Sequence, residues 1–260
     1  MKNLIVIIGT CVVLFIVCVL VLMPLELGET QSEVSVIKLL PADYNPYQRL
    51  YDKMLTPTVR ISSASGIGSG VVIETTDKHR LTQIYILTAN HVVGNNTSVT
   101  VTVYTPLTPL NRGELSLTAS VVMTDTNKDL ALIRIETTNQ HELTQIYSAK
   151  LAPKDYTPYL FSPVWVVGCS LGLNPRPSFG HITAIDSGSF VSIRGYEISA
   201  PILPGNSGGP VFDGRTHELI GIAVWVHTYQ GQLITTMAGV VPVQEIHEFL
   251  NHKGTKDTKD

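Results

Sequence analysis

The chain has 260 residues, 44% of them hydrophobic and 15% charged, with a formal net charge of −3. That supplies enough apolar residues for one large or two small cores, and it excludes disorder except at the ends. Scattered Lys and Arg on a slightly acidic chain exclude the basic footprint of a nucleic-acid binder. Of the three cysteines, Cys11 and Cys18 lie in an N-terminal apolar run, so Cys169 has no disulfide partner in the body of the protein.

That apolar run, Leu4 to Met23, is twenty residues long and carries no charge. It is long enough to cross a bilayer as one transmembrane helix, and apolar on too many faces for a buried core helix. A cleaved signal peptide has a shorter apolar core and small residues before the cut, which Met23-Pro24-Leu25-Glu26 does not offer. The reading is an uncleaved signal anchor over 1–24, with secretion after cleavage as the runner-up. Lys2 ahead of the run favours a cytoplasmic N-terminus and an extracytoplasmic body.

A juxtamembrane linker follows over 25–55, in which Asn45 to Leu55 has helical spacing. From Thr56 the chain turns to short runs of Val, Ile, Thr and Tyr between Gly, Pro, Asn and Asp. Strands are expected near 58–63, 68–74, 83–88, 98–104, 115–123, 130–136, 163–168, 179–186, 190–198, 210–213, 218–226 and 233–241. A dozen short strands with almost no helical periodicity make the body, 56–252, an all-β barrel or sandwich. A short closing helix is expected over 243–251, and 253–260 is a solvated, flexible tail. The glycine-rich stretch Ser65 to Gly70 has no following helix pattern and no lysine, which excludes a phosphate-binding loop.

Three segments carry chemistry. Leu203-Pro204-Gly205-Asn206-Ser207-Gly208-Gly209-Pro210 places a serine in a run unfit for regular helix or strand. A serine hydroxyl needs a base to take its proton and fixed donors for the oxyanion it generates. The N–H groups of Gly205 and Ser207 are the candidate oxyanion donors. Thr88-Ala89-Asn90-His91-Val92-Val93 ends an apolar strand with a histidine, the candidate base. Asp129-Leu130-Ala131-Leu132-Ile133 opens another strand with an aspartate that can hold the imidazole in one tautomer. Asp125 is a rival carboxylate in a loop context, and His181 and His227 lack the context of His91. Cys169 reads as a small buried residue.

The motifs T-A-N-H-V-V, D-L-A-L-I and P-G-N-S-G-G-P, in that order, resemble those of trypsin-like serine proteases of the chymotrypsin fold. The flavour is that of the bacterial HtrA/Deg group. The resemblance implies two six-stranded antiparallel Greek-key β-barrels with a boundary near 138–160. His91 and Asp129 would come from the first, Ser207 from the second, and the triad would lie in the cleft between them. It implies an endopeptidase acting on protein or peptide substrates with no cofactor and no metal. Val166 to Leu173 resembles the family's G-x-P-x-G segment, with Ser170 where proline is usual. HtrA-type proteases commonly carry a PDZ domain after the protease, and none is expected here. No Ile-Val-Gly-Gly precedes Thr58, so the oxyanion loop is ordered from the start, or by substrate or assembly. Assembly into a homo-oligomer is thereby left open.

For specificity, the resemblance places the pocket wall among Ser199, Pro201, Leu203, Ile222, Ala223 and Val224. Ala223 stands where glutamate-specific relatives place histidine, and Pro201 where trypsins place aspartate. A shallow apolar pocket for small or medium aliphatic residues before the cut follows. The reading from a different class is a catalytically idle protease fold acting as a membrane-tethered binding module.

Overall fold

Alternating apolar residues along short strands close into two barrels in the computed structural model, which describes residues 47–78, 81–108, 111–138, 146–185 and 195–252. The expected anchor over 1–24, positions 25–46 of the linker and the tail lie outside these residues. No helix among the described residues is long and apolar enough to cross a membrane.

The first barrel comprises β1 (Thr58–Ser63), β2 (Gly66–Lys78), β3 (Leu81–Thr88), β4 (Ser98–Thr108), β5 (Asn111–Asp125) and β6 (Leu130–Thr137). Its strands close in the order β1-β2-β3-β6-β5-β4. The second comprises β7 (Pro163–Gly168), β8 (Arg176–Ile185), β9 (Tyr196–Ile198), β10 (Pro210–Asp213), β11 (Leu219–Tyr229) and β12 (Gln232–Pro242). It closes as β10-β11-β12-β9-β8-β7. In each barrel three strands run as a meander and the fourth returns beside the first, which is the Greek key. Every pairing within the barrels is antiparallel, and closure leaves no strand edge to aggregate.

Among the described residues twelve strands stand where they were expected, with β2, β4 and β5 running four residues further at one end; positions 190–194 of the strand expected at 190–198 lie outside those residues. The closing helix, α3 (Val243–Asn251), occupies the expected residues. Around Asn45 to Leu55 the helical spacing yields a short α1 (Gln48–Leu50) continued by a wider π-turn, Tyr51–Leu55. Two short elements have no counterpart in the sequence reading, one of them a 3-10 turn at Ser170–Gly172. The backbone after β3 turns at once into α2 (Asn90–Val93), so His91 sits in the first turn of a short helix.

Two apolar clusters hold the barrels. One fills the second barrel with Val164, Val166, Ile182, Ile198, Val211, Ile220 and Val240. The other fills the first barrel and runs on into Phe212, Leu219, Ile222 and Val224 of the second. β11 is therefore buried on both faces, which is why Leu219 to Val224 reads as one unbroken apolar run. α3 continues the seam: Ile246 and Phe249, three residues apart, enter the shared cluster. On its other face Glu245 and Glu248 pair with Lys128, which immediately precedes Asp129.

The connection between barrels is pinned to both. The Ala149 N–H donates to the Val72 carbonyl of the first barrel, while Lys150 and Ala152 exchange backbone bonds with Leu219 of the second.

Candidate active site

The imidazole and the carboxylate are assembled at one end of the first barrel. Asp129 has a left-handed backbone, φ 51°, at the turn into β6. Its carbonyl accepts the Asn90 N–H at 3.1 Å, and its Oδ1 accepts the His91 N–H at 2.9 Å. Both are free donors of a helix start, and Asp129 satisfies them from outside the helix. Its second oxygen, Oδ2, lies 2.7 Å from His91 Nδ1. One carboxylate thus fixes the histidine backbone and its ring together. Nδ1 facing the carboxylate as donor leaves Nε2 as the basic nitrogen. The His91 side chain is 46% exposed and that of Asp129 18%, so the ring opens to solvent while its support is covered.

The serine is shaped by the second barrel and docks on the first. Its loop starts with a turn in which the Asn206 N–H bonds the Leu203 carbonyl at 3.0 Å, and the Gly209 N–H bonds the Asn206 carbonyl at 2.9 Å. Gly208 and Gly209 then join the loop to Ala223 of β11 by two bonds of 2.8 and 2.9 Å. Gly208 has φ +80°, and a Cβ there would fall 2.2 Å from Thr88 Oγ1 and 2.3 Å from the Ser69 carbonyl. Only glycine lets the loop come this close to the end of β3. Across the seam the Ser207 carbonyl accepts the Ser69 N–H at 2.8 Å. A Cβ on Gly68 would meet the Val92 side chain at 2.6 Å and the Ser207 carbonyl at 3.0 Å. Gly68 thus lets Ser207 approach the residue following His91.

Among the described residues, neither the Ser207 hydroxyl nor His91 Nε2 has a protein hydrogen-bond partner. Catalytic bonds of this kind often tighten only when substrate is bound. The N–H groups of Gly205 and Ser207 likewise donate to no acceptor among the described residues. The Pro204 carbonyl is held by the Leu171 N–H at 2.7 Å. A trans peptide points its N–H away from its carbonyl, so that bond aims the Gly205 N–H away from Leu171. Ser170 occupies the position where a proline is usual and donates to Asn206 Oδ1 at 2.7 Å, bracing the same loop.

Beside Ser207 lies a cavity of about 270 Å³ lined by Ile202, Leu203, Pro204, Ala223, Val224, Trp225, Val226 and Leu233. Leu203, Ala223 and Val224 are residues expected there from sequence; Ser199, Pro201 and Ile222 do not line it. Ile222 is wholly buried in the inter-barrel cluster. The Ser199 hydroxyl bonds the His181 backbone, and the Pro201 carbonyl accepts the Ser178 hydroxyl. β11 contributes Ala223 through Val226 to the lining, across a bulge between Ala223 and Trp225.

The rivals are engaged elsewhere. Asp125 Oδ1 caps the turn at Asn127 and Lys128. His227 pairs with Glu197 at 2.9 Å, beneath an edge-on contact with Trp225. His181 packs edge-on to Phe179, and Cys169 is buried. Among the described residues there is no cluster of side chains able to hold a metal. The sequence reading missed Ser69, which stands between two glycines like any turn serine and takes its partners from far along the chain.

Comparison with known proteins places the chain among peptidases. The family model described as trypsin-like peptidase domain matches residues 68–222, a stretch that contains His91, Asp129 and Ser207. A serine protease HtrA-like protein of Staphylococcus epidermidis is 27% identical over 213 residues, covering 74% of this chain and 32% of that protein. A probable periplasmic serine endoprotease DegP-like of Pseudomonas fluorescens is 28% identical over 176 residues, covering 66% and 32%. The chain thus spans about a third of the length of these curated relatives. Among solved structures, the HtrA-type protease AlgW with tripeptide superposes with a TM-score of 0.64 at 20% identity. That alignment covers 80% of this chain and 63% of the other, a likeness of fold.

Proposed function

Because the chain belongs to the trypsin-like peptidase family, we propose that it is a serine endopeptidase working through His91, Asp129 and Ser207. The observation that carries the reading is the doubly bonded Asp129–His91 pair, set beside a serine loop with two unengaged N–H donors. His91 Nε2 takes the Ser207 proton as Oγ attacks the peptide carbonyl, and the Gly205 and Ser207 N–H groups receive the oxyanion. Asp129 Oδ2 stabilises the imidazolium, which then protonates the departing amine. Water, deprotonated by the same ring, releases the acyl group.

The apolar lining and modest volume of the cavity favour small or medium aliphatic residues before the scissile bond. The run from Leu4 to Met23 supports a single-pass tether with an extracytoplasmic protease. Resistance of the chain to alkaline extraction from membranes checks the tether; release as a soluble, shortened protein overturns it.

The direct test of the activity is labelling of the full-length chain with a fluorophosphonate probe, alongside cleavage of a peptide library. Label confined to Ser207 and cleavage abolished in Ser207→Ala support the reading. Peptide cleavage that survives Ser207→Ala defeats it, and a chain that neither labels nor cleaves defeats it in favour of an idle binding module.

A further inference from the structure

Ser69, a wholly buried residue of β2, makes four hydrogen bonds that converge on the seam between the barrels. Its N–H donates to the Ser207 carbonyl at 2.8 Å, and its hydroxyl donates to the Gly205 carbonyl at 2.6 Å. The same hydroxyl accepts the Cys169 N–H at 2.8 Å. Its carbonyl accepts the Thr88 hydroxyl at 2.7 Å, three residues before His91. Building on the protease reading above, we infer that Ser69 is a positioning residue that sets the oxyanion donors and the nucleophile in register with the base.

The reasoning follows the peptides of the loop one by one. The two donor peptides are Pro204–Gly205 and Asn206–Ser207, whose carbonyls are held by the N–H groups of Leu171 and Gly209. The peptides interleaved with them are Gly205–Asn206 and Ser207–Gly208, and the carbonyl of each is held by Ser69. Each peptide is planar, so fixing alternate carbonyls fixes the tilt of the donors between them. The clamp belongs to the first barrel, which also carries His91 and Asp129. Through the Thr88 bond the donors, the nucleophile and the base share one rigid reference, within which a displacement of about 1 Å can cost about a hundredfold in rate.

A serine suits this position. One hydroxyl donor and one acceptor site are both in use. Alanine there leaves the part-buried Gly205 carbonyl and the buried Cys169 N–H unpaired, and the cheapest relief is rotation of the Gly205–Asn206 peptide. That rotation moves the donors without altering the cavity that binds the acyl-side residue. The signature is a loss in kcat rather than in KM.

The test uses the full-length chain and a quenched-fluorescence peptide with valine before the scissile bond. The companion probe is a peptide boronate of the same sequence, whose adduct with Ser207 places an oxygen on the donors. Ser69→Ala is expected to lower kcat by about 10- to 100-fold, with KM within about threefold, and to weaken boronate binding in parallel. Ser69→Cys keeps the volume with a weak donor and falls between the two, which covers the case in which the alanine variant does not fold. Thr58→Val is the control for lost stability alone. It deletes a buried hydroxyl bond to the Met54 carbonyl that touches neither Ser69 nor the serine loop, and should lower Tm while leaving kcat unchanged. Wild-type kcat in Ser69→Ala, an equal rise in KM, or the same kcat loss in Thr58→Val overturns the inference. A wild-type chain that does not cleave and behaves as Ser207→Ala overturns the protease reading instead, and this inference with it.

Discussion

The two barrels have the same strand order, yet they build their parts of the site by opposite means. The first makes the His91–Asp129 pair from its own residues, with three hydrogen bonds between α2 and the turn before β6. The second makes a serine loop whose shape depends on its neighbour, through Ser69, Thr88 and Gly68. A barrel can therefore hold a base in isolation, whereas the nucleophile loop is correct only when the barrels are docked. Contacts at the seam should then matter to Ser207 far more than to His91.

The sharpest way to break that comparison is to remove a reacting group from either side. Ser207→Ala should lower kcat by roughly 10⁵- to 10⁶-fold, and Asp129→Asn by about 10⁴-fold because the ring then takes the wrong tautomer. Steady-state cleavage assays on variants whose denaturant midpoints match wild type separate these losses from misfolding. Gly208→Ala attacks the docking itself. Its Cβ meets Thr88 and the Ser69 carbonyl, so denaturant unfolding should show a loss of roughly 3 kcal/mol while the His91–Asp129 bond persists. A wild-type midpoint in that variant removes the argument that the loop is shaped by the first barrel.

Smaller changes sharpen it. Val226→Gly enlarges the cavity and should raise kcat/KM for a phenylalanyl over an alanyl substrate by about 10- to 100-fold. An unchanged preference in peptide-library profiling assigns the specificity elsewhere. Smaller again is the effect of acid on the second barrel. Partial burial of Asp213 raises its pKa, but the N–H groups of Thr216 and Arg215 and the Tyr156 hydroxyl outweigh it, so the carboxyl stays below its ordinary 3.8. A folded value below the unfolded one contributes stability that is fully present above pH 3.8 and is lost as pH falls through the lower folded value. Asp213→Asn should therefore lower Tm at pH 6, with the gap from wild type closing below pH 4 as the curves converge.

Much of this arrangement is written in the chain as period and punctuation. Alternating residues such as Val59 and Ile61, or Ile84 and Ile86, mark strands because a closed barrel buries one face of each. The helical spacing of Val243, Ile246 and Phe249 marks α3 for the same reason. His91, Asp129 and Ser207 stand out in the chain because each lies within three residues of such a strand, in a local context that a structural residue does not need. The pocket was less legible. Its lining joins Leu203 and Pro204 of the serine loop to Ala223 through Val226 of β11 and Leu233 of β12, a meeting of separate segments that no local period marks. α2 was hidden because four residues are too few to show a helical period, and Asp129 completes it from 38 positions away. Ser69 was hidden because its partners are 100 and 136 positions distant, and nothing local separates a clamp from a turn.

The strap around Ala149 has a consequence for how the polypeptide can be divided. Its bonds to Val72 and to Leu219 all begin after Ile146, so a break ahead of that residue severs none of them. Two separately produced pieces meeting there retain every polar contact and the whole apolar seam described above. Cleavage activity regained on mixing such halves would turn barrel docking into a measurable bimolecular association, with Ser207 reporting each encounter.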